Sequence, residues 1–178
     1  MKRTVLSLLI FALFIAGQSN AFAQKTTRRA EQKKASNTLS IQVMKGGEVV
    51  HFKGNSALYD GGTVTLGATR KGTIKGENAP VMVIQFSYEG LGGGNNHGDI
   101  LSVYRVSGTK THLIASKTFD ASLQEPGIDS IHIAGGAIVI AGSAYGNDDA
   151  SCCPTRHHVT VYAVYQGKFK PVAQPIVW

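Results

Sequence analysis

Two cysteines stand side by side near the end of the chain, in the stretch YGNDDASCCPTRHH that covers residues 145–158. Thiolate, imidazole and carboxylate groups bind metals, and thiols also exchange disulfides or lock a turn. Cys152 and Cys153 are the only cysteines, so neither has another partner within the chain. Three chemistries therefore compete for this stretch: a disulfide between neighbours, thiols that are free or bonded to another molecule, and a metal site.

A disulfide between Cys152 and Cys153 would impose an unusual geometry. Neighbouring Cα atoms lie about 3.8 Å apart across a trans peptide, whereas ordinary disulfides span about 4.4–6.8 Å between Cα atoms. The bond would therefore distort the peptide unit into a tight turn, and Pro154 restricts the same turn further. Because strained disulfides are easier to reduce, thiol–disulfide redox exchange is an alternative function for the pair.

Metal binding is the other alternative for this stretch. Four side chains have the right types for a zinc site, namely Cys152, Cys153, His157 and His158. Structural zinc sites separate each ligand pair by about two to four residues, whereas these ligands are adjacent. Both histidines begin a predicted strand, where neighbours point to opposite faces, so only one can face the cysteines. Asp148 and Asp149 lack the spaced oxygen ligands of a calcium loop, and we predict no cofactor.

The N-terminus predicts the compartment. Lys2 and Arg3 precede an apolar run over residues 5–16, and Ala21-Phe22-Ala23 is a small-x-small cleavage site. This is the layout of a secretory signal peptide over residues 1–23, and its apolar core is too short to span a membrane. We predict cleavage after Ala23 and a mature protein in the periplasm or secreted, where paired thiols tend to oxidise.

Residues 24–37, QKTTRRAEQKKASN, form a basic segment without apolar periodicity, which indicates a flexible linker. Its functional alternative is weak electrostatic contact with an anionic membrane surface. Of the chain's 18 basic residues, two lie in the leader and five in the linker, together with one of the 11 acidic residues. Residues 38–178 are therefore nearly neutral. The charge gives no support to a nucleic-acid partner, and no segment is predicted to span a membrane.

Residues 38–178 read as one β-rich domain, because short β-branched and aromatic runs alternate with glycine-rich connections. Strands are predicted at 38–44, 48–52, 63–69, 81–88, 100–106, 111–119, 130–133, 137–145, 157–165 and 171–177. The turns VSGTK, IAGGA and YQGK predict hairpins between consecutive strands. The expected fold is all-β and mainly antiparallel, a sandwich or a partly closed barrel. An α+β fold with one short helix at DASLQEPG is the alternative.

The chain carries no local catalytic signature. GLGGGNNHGD lacks a complete G-x-G-x-x-G and precedes a predicted strand, so the helix that would hold a phosphate is missing. AGSAYG does not have the spacing of a nucleophile elbow. Because catalytic groups can also come from distant strands, enzymatic activity stays open, although a non-enzymatic role is favoured.

The segment DDASCCPT, followed by a strand and YQGKFKPV, resembles the DPxCCPS-type signature of LppP/LprE-like bacterial envelope proteins. The order of VMVIQFSY, GLGGGNNHGD, ILSVYRV and SIHIAGGAIVIAG is also similar, so the resemblance covers about residues 70–172. Members of that family are lipoproteins, whereas no cysteine stands near the predicted cleavage point after Ala23 here. Related proteins carry a calcium-like loop where this chain has KGTIKGENAP, with Thr73, Lys75 and Glu77 at the expected ligand positions. The resemblance implies an envelope location and a β architecture. It implies no particular activity, because none is established for the family.

These observations favour an exported, non-enzymatic envelope domain that acts as a binding or structural module. Its partner would be another envelope protein or a small ligand. The candidate binding surface surrounds the cysteine pair and comprises Tyr145, Asp148, Asp149, Arg156 and His157.

Overall fold

The structure is a computed structural model that describes residues 38–150, 153–173 and 176–177, all within one compact unit, Ser36–Trp178. The predicted leader (1–23) and nearly all of the predicted linker (24–37) precede that unit, and both lie outside the described residues. The strands are β1 Thr38–Gln42, β2 Val49–Lys53, β3 Ser56–Tyr59, β4 Gly62–Gly72, β5 Val81–Glu89, β6 His97–Ser107, β7 Lys110–Asp120, β8 Ser130–Ala134, β9 Ala137–Ala144, β10 Arg156–Tyr165, β11 Lys168–Pro171 and β12 Ile176–Val177.

Strands β1 to β7 form an antiparallel sheet in sequence order, and this sheet curls into a nearly closed barrel. Side chains from β6 and β7 contact the end of β1 and the residues just after it. The Tyr104 hydroxyl donates to the Gln42 carbonyl at 2.7 Å, and the Ser116 hydroxyl accepts from the Lys45 amide at 2.9 Å. Burial raises the pKa of Tyr104, so its hydroxyl keeps the proton that it donates.

A second antiparallel sheet has the order β11-β10-β9-β8, with β12 also paired to β10. Short turns at residues 135–136 and 166–167 join β8 to β9 and β10 to β11. Gly135 and Gly136 have φ values of 58° and 78°, the left-handed conformation that a two-residue hairpin turn requires.

Two apolar clusters form the core, and strands β5 and β6 belong to both. One cluster contains Phe52 and Phe86, whose rings stack at 5.7 Å between centroids. The other contains Val83 and Leu101 from the first sheet and Ile140 from the second. Because successive residues of a strand point to opposite faces, burial of both faces explains the almost continuous apolar run in β5.

The segment after β7 carries the chain from the first sheet to the second, and side chains of the first sheet bind it. Gln85 Nε2 donates to the Ile128 carbonyl at 2.9 Å and to Asp99 Oδ1 at 3.0 Å. Asp99 Oδ2 accepts from the Ile128 amide at 3.2 Å. Both backbone groups of Ile128 are therefore held by strands β5 and β6. Arg70 Nε adds a bond to the Ile131 carbonyl at 3.0 Å.

The second sheet binds the same segment from the other side. The Gly127 and Asp129 amides donate to the carbonyls of Ser143 and Ala141, each at 3.0 Å. His158, on β10, bonds to the Gly127 carbonyl at 3.0 Å. Residues 127–129, which we call the joint, are thus hydrogen-bonded to both sheets.

The predicted all-β, mainly antiparallel class is confirmed, in the form of the nearly closed barrel. The α+β alternative is wrong, because DASLQEPG forms only a 3-10 turn at Ala121–Leu123 and the described residues include no α-helix. Sequence patterning missed β3, whose four residues lie between the turns at Gly54 and Gly61. Of the strand predicted over 171–177, Pro171 is the last residue of β11, residues 172 and 173 form a bend, and Ile176–Val177 form β12.

The tight contact at the joint predicts the effect of a single methyl group. A Cβ at Gly142 would collide with the Gly127 carbonyl and lie 3.1 Å from the Asp129 amide nitrogen. We expect Gly142→Ala to lower the free energy of unfolding by about 1–3 kcal/mol, since backbone cannot move aside cheaply. Urea unfolding measures this change. Gly127→Ala is the matched control, because its Cβ meets nothing within 4 Å. Equal destabilisation by both variants would contradict the packing described for the joint.

Candidate functional site

The predicted site residues lie on and beside the loop that joins β9 to β10, residues 145–155, which we call the cysteine loop. Arg156, the first residue of β10, pairs with Ala144, the last residue of β9. The two ends of the loop are therefore adjacent, and the ladder of the second sheet fixes their separation. Residues 151 and 152, and with them Cys152, lie outside the described residues.

Asp149 connects the two sides of the cysteine loop. Its Oδ2 accepts from the Gly146 amide at 2.6 Å and from the Thr155 amide at 2.8 Å. Its Oδ1 accepts from the Thr155 hydroxyl at 2.7 Å. Bonds to an ionised carboxylate are stronger than those between neutral groups, so this one side chain holds the loop closed above its base.

The same hydrogen bonds set the acidity of Asp149. The Gly146 amide, followed by the Thr155 hydroxyl and amide, holds the pKa of this carboxyl below its ordinary value, and the Arg156 charge adds a smaller effect. Arg156 and Asp149 flank Gly146, where a Cβ would lie 3.2 Å from Arg156 Nε and 3.3 Å from Asp149 Oδ1. The structure therefore places Asp149 and Arg156 beside the same residue, Gly146.

The other predicted residues surround this closed loop in different environments. Asp148, Arg156 and His157 are exposed, whereas Tyr145 is partly buried. Tyr145 and His157 each take part in further interactions. An acid in the described part of the loop, and a base and an imidazole at the start of β10, are thus exposed to solvent.

Cys153 is exposed, and its amide donates to the Ala150 carbonyl at 3.0 Å. It is not a free cysteine. Any role of the cysteine pair must therefore be compatible with a Cys153 that is exposed and is not a free thiol.

The two histidines point to opposite faces of β10, as strand alternation predicts. His157 is exposed, whereas His158 is 2% exposed. Because a carbonyl oxygen only accepts, the contact of His158 Nε2 with Gly127 requires a proton on Nε2. Nδ1 is then left to accept from the Thr160 hydroxyl at 3.3 Å. Both ring nitrogens are occupied in the core, which removes His158 from the set of available zinc ligands.

The described residues contain no group of three or more His, Cys, Asp or Glu side chains arranged to hold a metal ion. At the position of the calcium-like loop, Glu77 accepts from Arg105 Nε and Nη2 at 2.9 and 2.7 Å. Lys75 donates its amide to the Gly136 carbonyl at 2.7 Å. That segment is occupied by contacts within the fold.

Sequence reasoning missed a cluster of acidic side chains around the buried Tyr88. Burial first, then the charge of Asp120 and a hydrogen bond with it, raise the pKa of Tyr88 to about 12. Glu125 and Asp99 contribute in the same direction. These carboxylates come from separate elements, so no local motif announces them. Since Tyr88 keeps its proton, it serves as a hydrogen-bond donor and not as a base at neutral pH.

None of the helical segments in the described part of the chain has the length and apolar character needed to cross a membrane. Comparison with protein-family models, with curated proteins and with solved structures returned no match. The case for a function therefore depends on the residues and geometry of this chain.

The low pKa of Asp149 predicts how the cysteine loop responds to acid. A group whose pKa is lowered by folding stabilises the folded form above its ordinary value of 3.8 and loses that effect as pH falls through the lowered pKa. At pH values below about 3.8, we expect the hydrogen-exchange protection of the Gly146 and Thr155 amides to decrease before the barrel unfolds.

Two variants separate this effect from general acid unfolding. Asp149→Asn should lower the protection of both amides already at neutral pH, on the order of tenfold, because the charged acceptor is lost. Asp148→Asn is the matched control and should leave their protection unchanged. If Asp149→Asn behaves like Asp148→Asn, the carboxylate does not hold the loop.

Proposed function

We propose that this chain is an exported, non-enzymatic envelope domain that binds a partner protein or a small ligand through the cysteine loop and the adjoining Arg156 and His157. The observation that carries the proposal is the closure of the loop by Asp149, with three hydrogen bonds of 2.6 to 2.8 Å. A loop ordered before binding loses little conformational entropy when a partner arrives.

The proposed location is the periplasm or the outside of the cell, after cleavage behind Ala23. The support is the three-part leader in the sequence, together with the resemblance to LppP/LprE-like envelope proteins. The basic segment over residues 24–37 would then tether the domain and make weak electrostatic contact with anionic membrane surfaces.

We also propose that Cys152 and Cys153 form a disulfide with each other. The chain has two cysteines, Cys153 is not free, and an exported protein meets oxidising conditions. The bond would stiffen the turn that Asp149 closes from below. In this account the cysteine pair shapes the binding surface and takes no part in a reaction.

Thiol–disulfide exchange is a second candidate function, and the exposure of Cys153 favours it, since an attacking thiolate needs access to the sulfur. A zinc-dependent role has less support, because His158 is committed to Gly127 and Thr160. The two leading candidates differ in how readily the cysteine pair is reduced in the folded protein.

Intact mass measurement with alkylation tests the state of the cysteine pair. We expect the native protein to resist alkylation and to weigh two hydrogens less than the dithiol form. If the pair only shapes the turn, reduction should require unfolding of the protein. Ready exchange with glutathione at an oxidising potential would instead favour the redox function. A mass that retains a metal ion would favour the zinc site.

The binding role is tested with the double variant Cys152→Ser, Cys153→Ser. We expect reduced recovery of a crosslinked envelope partner, because the turn that presents Arg156 and His157 is no longer locked. Leu123→Ser, at a residue that is 72% exposed, controls for a general change of surface polarity. Unchanged thermal stability and unchanged partner recovery in the double variant would show that the cysteine turn has no such role.

A further inference from the structure

The β2–β3 hairpin is open along most of its length. Among the described residues, Lys53 and Ser56 are the one pair that joins the two strands. In contrast, β2 pairs with β1 along all five of its residues, and β3 pairs with β4 along all four. The Asn55 carbonyl at the turn accepts from the Leu66 amide at 2.7 Å, which draws β3 toward β4 and away from β2.

The separation leaves a cleft of about 600 Å³ between the two strands. Ala57 and Tyr59 form its floor, since both also pack against the core of the barrel. The Tyr59 hydroxyl lies against Gly47, beyond the start of β2, and a Cβ at that position would collide with it. The floor is therefore closed by a side chain where the backbone ladder is interrupted.

The cleft offers both backbone and apolar contacts to an extended chain. About half of the backbone N–H and C=O groups of a strand point to each side, and here one side of β2 and one side of β3 face the cleft. Val49 and Leu58, which also line the cleft, are 56% and 85% exposed. Natural proteins usually protect an open strand edge with charges, proline or a bulge, whereas this one exposes Val49 and Leu58, with His51 between Val49 and the narrow end.

The wide end of the cleft is acidic. Glu48 and Asp60 both line it there, next to Tyr59. Burial first, and then the charges of Asp60 and Glu48, raise the pKa of Tyr59. Both carboxylates therefore lie close enough to Tyr59 to affect its hydroxyl group. Lys53 lies at the narrow end. A ligand with a positive charge at one end is therefore complementary to the wide end of the cleft.

We propose that this cleft binds an extended peptide segment of a partner protein, which adds a strand between the open edges of β2 and β3. Apolar side chains at alternate positions of the segment would cover Val49 and Leu58, and a lysine or arginine would lie beside Glu48 and Asp60. This is recognition by strand addition, in which backbone hydrogen bonds supply affinity and alternate side chains supply specificity. The site is separate from the cysteine loop and does not depend on its proposed role.

The test uses the full exported chain and a fluorescently labelled peptide of sequence Lys-Val-Thr-Val-Ser-Val, with binding followed by anisotropy. We expect saturable one-to-one binding. The same peptide with alternate N-methyl groups, which cannot complete the ladder, should bind at least tenfold more weakly, and so should a version with glutamate in place of lysine.

Variants of the protein locate the binding site. Leu58→Asp should weaken binding at least tenfold, whereas Leu123→Asp, at another exposed position outside the cleft, should leave it unchanged. The double variant Glu48→Gln, Asp60→Asn should abolish the preference for lysine over glutamate.

Three results would overturn the proposal: no saturable binding of the lysine peptide, equal binding of its N-methylated form, or equal binding by Leu58→Asp and the unaltered chain. Sedimentation velocity tests whether a second copy of this chain occupies the cleft instead. A dimer that Leu58→Asp converts to a monomer would show that a second copy of this chain fills the cleft, and not a partner peptide.

Discussion

The arrangement of the two sheets depends on the hydrogen bonds that Gln85 and Asp99 make to the backbone of Ile128. Both groups of Ile128 are satisfied by side chains of the first sheet, while its neighbours Gly127 and Asp129 are bonded to the second. A buried backbone group without a partner costs free energy comparable to a lost hydrogen bond. An apolar residue in place of Gln85 or Asp99 would leave a backbone group of Ile128 without a hydrogen-bond partner.

The joint also determines where the cysteine loop lies. His158 bonds to Gly127 and stands two residues after Arg156, at the base of the loop. Gly142 packs against Gly127 from the strand that leads into the loop. Both strands that carry the loop are therefore fixed to the joint, and Asp149 needs to order only the short segment above them. The β2–β3 cleft also lies on the first sheet, whose strands β5 and β6 hold the joint.

Most of the fold follows from local pattern. Runs such as VMVIQFSY and AIVIAGSA are rich in β-branched residues, and a glycine follows two residues after the end of each. Their strands could therefore be predicted, together with the hairpin turns at VSGTK, IAGGA and YQGK. The four residues of β3 could not, because SALY is too short to show an alternation and its partners are set by β4. The opening between β2 and β3 depends on the bond from Leu66 to Asn55, and the sequence contains no sign of it.

The candidate site was predictable in position but not in mechanism. The sequence places Asp148 and Asp149 together, and their contacts alone show that Asp149 closes the loop. His158 was a candidate zinc ligand, and its burial shows instead that it supports the joint. Its partner Gly127 is 31 residues away, and Asp99 is 29 residues from Ile128. Contacts over such separations arise from strand order, which local periodicity does not encode.

Native-state hydrogen exchange at increasing denaturant concentration tests the central role of the joint most directly. The amides of Gly127, Ile128 and Asp129 should exchange only through global unfolding, with the same denaturant dependence as amides of the buried strands β5 and β6. If these three amides exchange through local opening, with little dependence on denaturant while β5 and β6 stay protected, the two sheets are held together without the joint and the account is wrong.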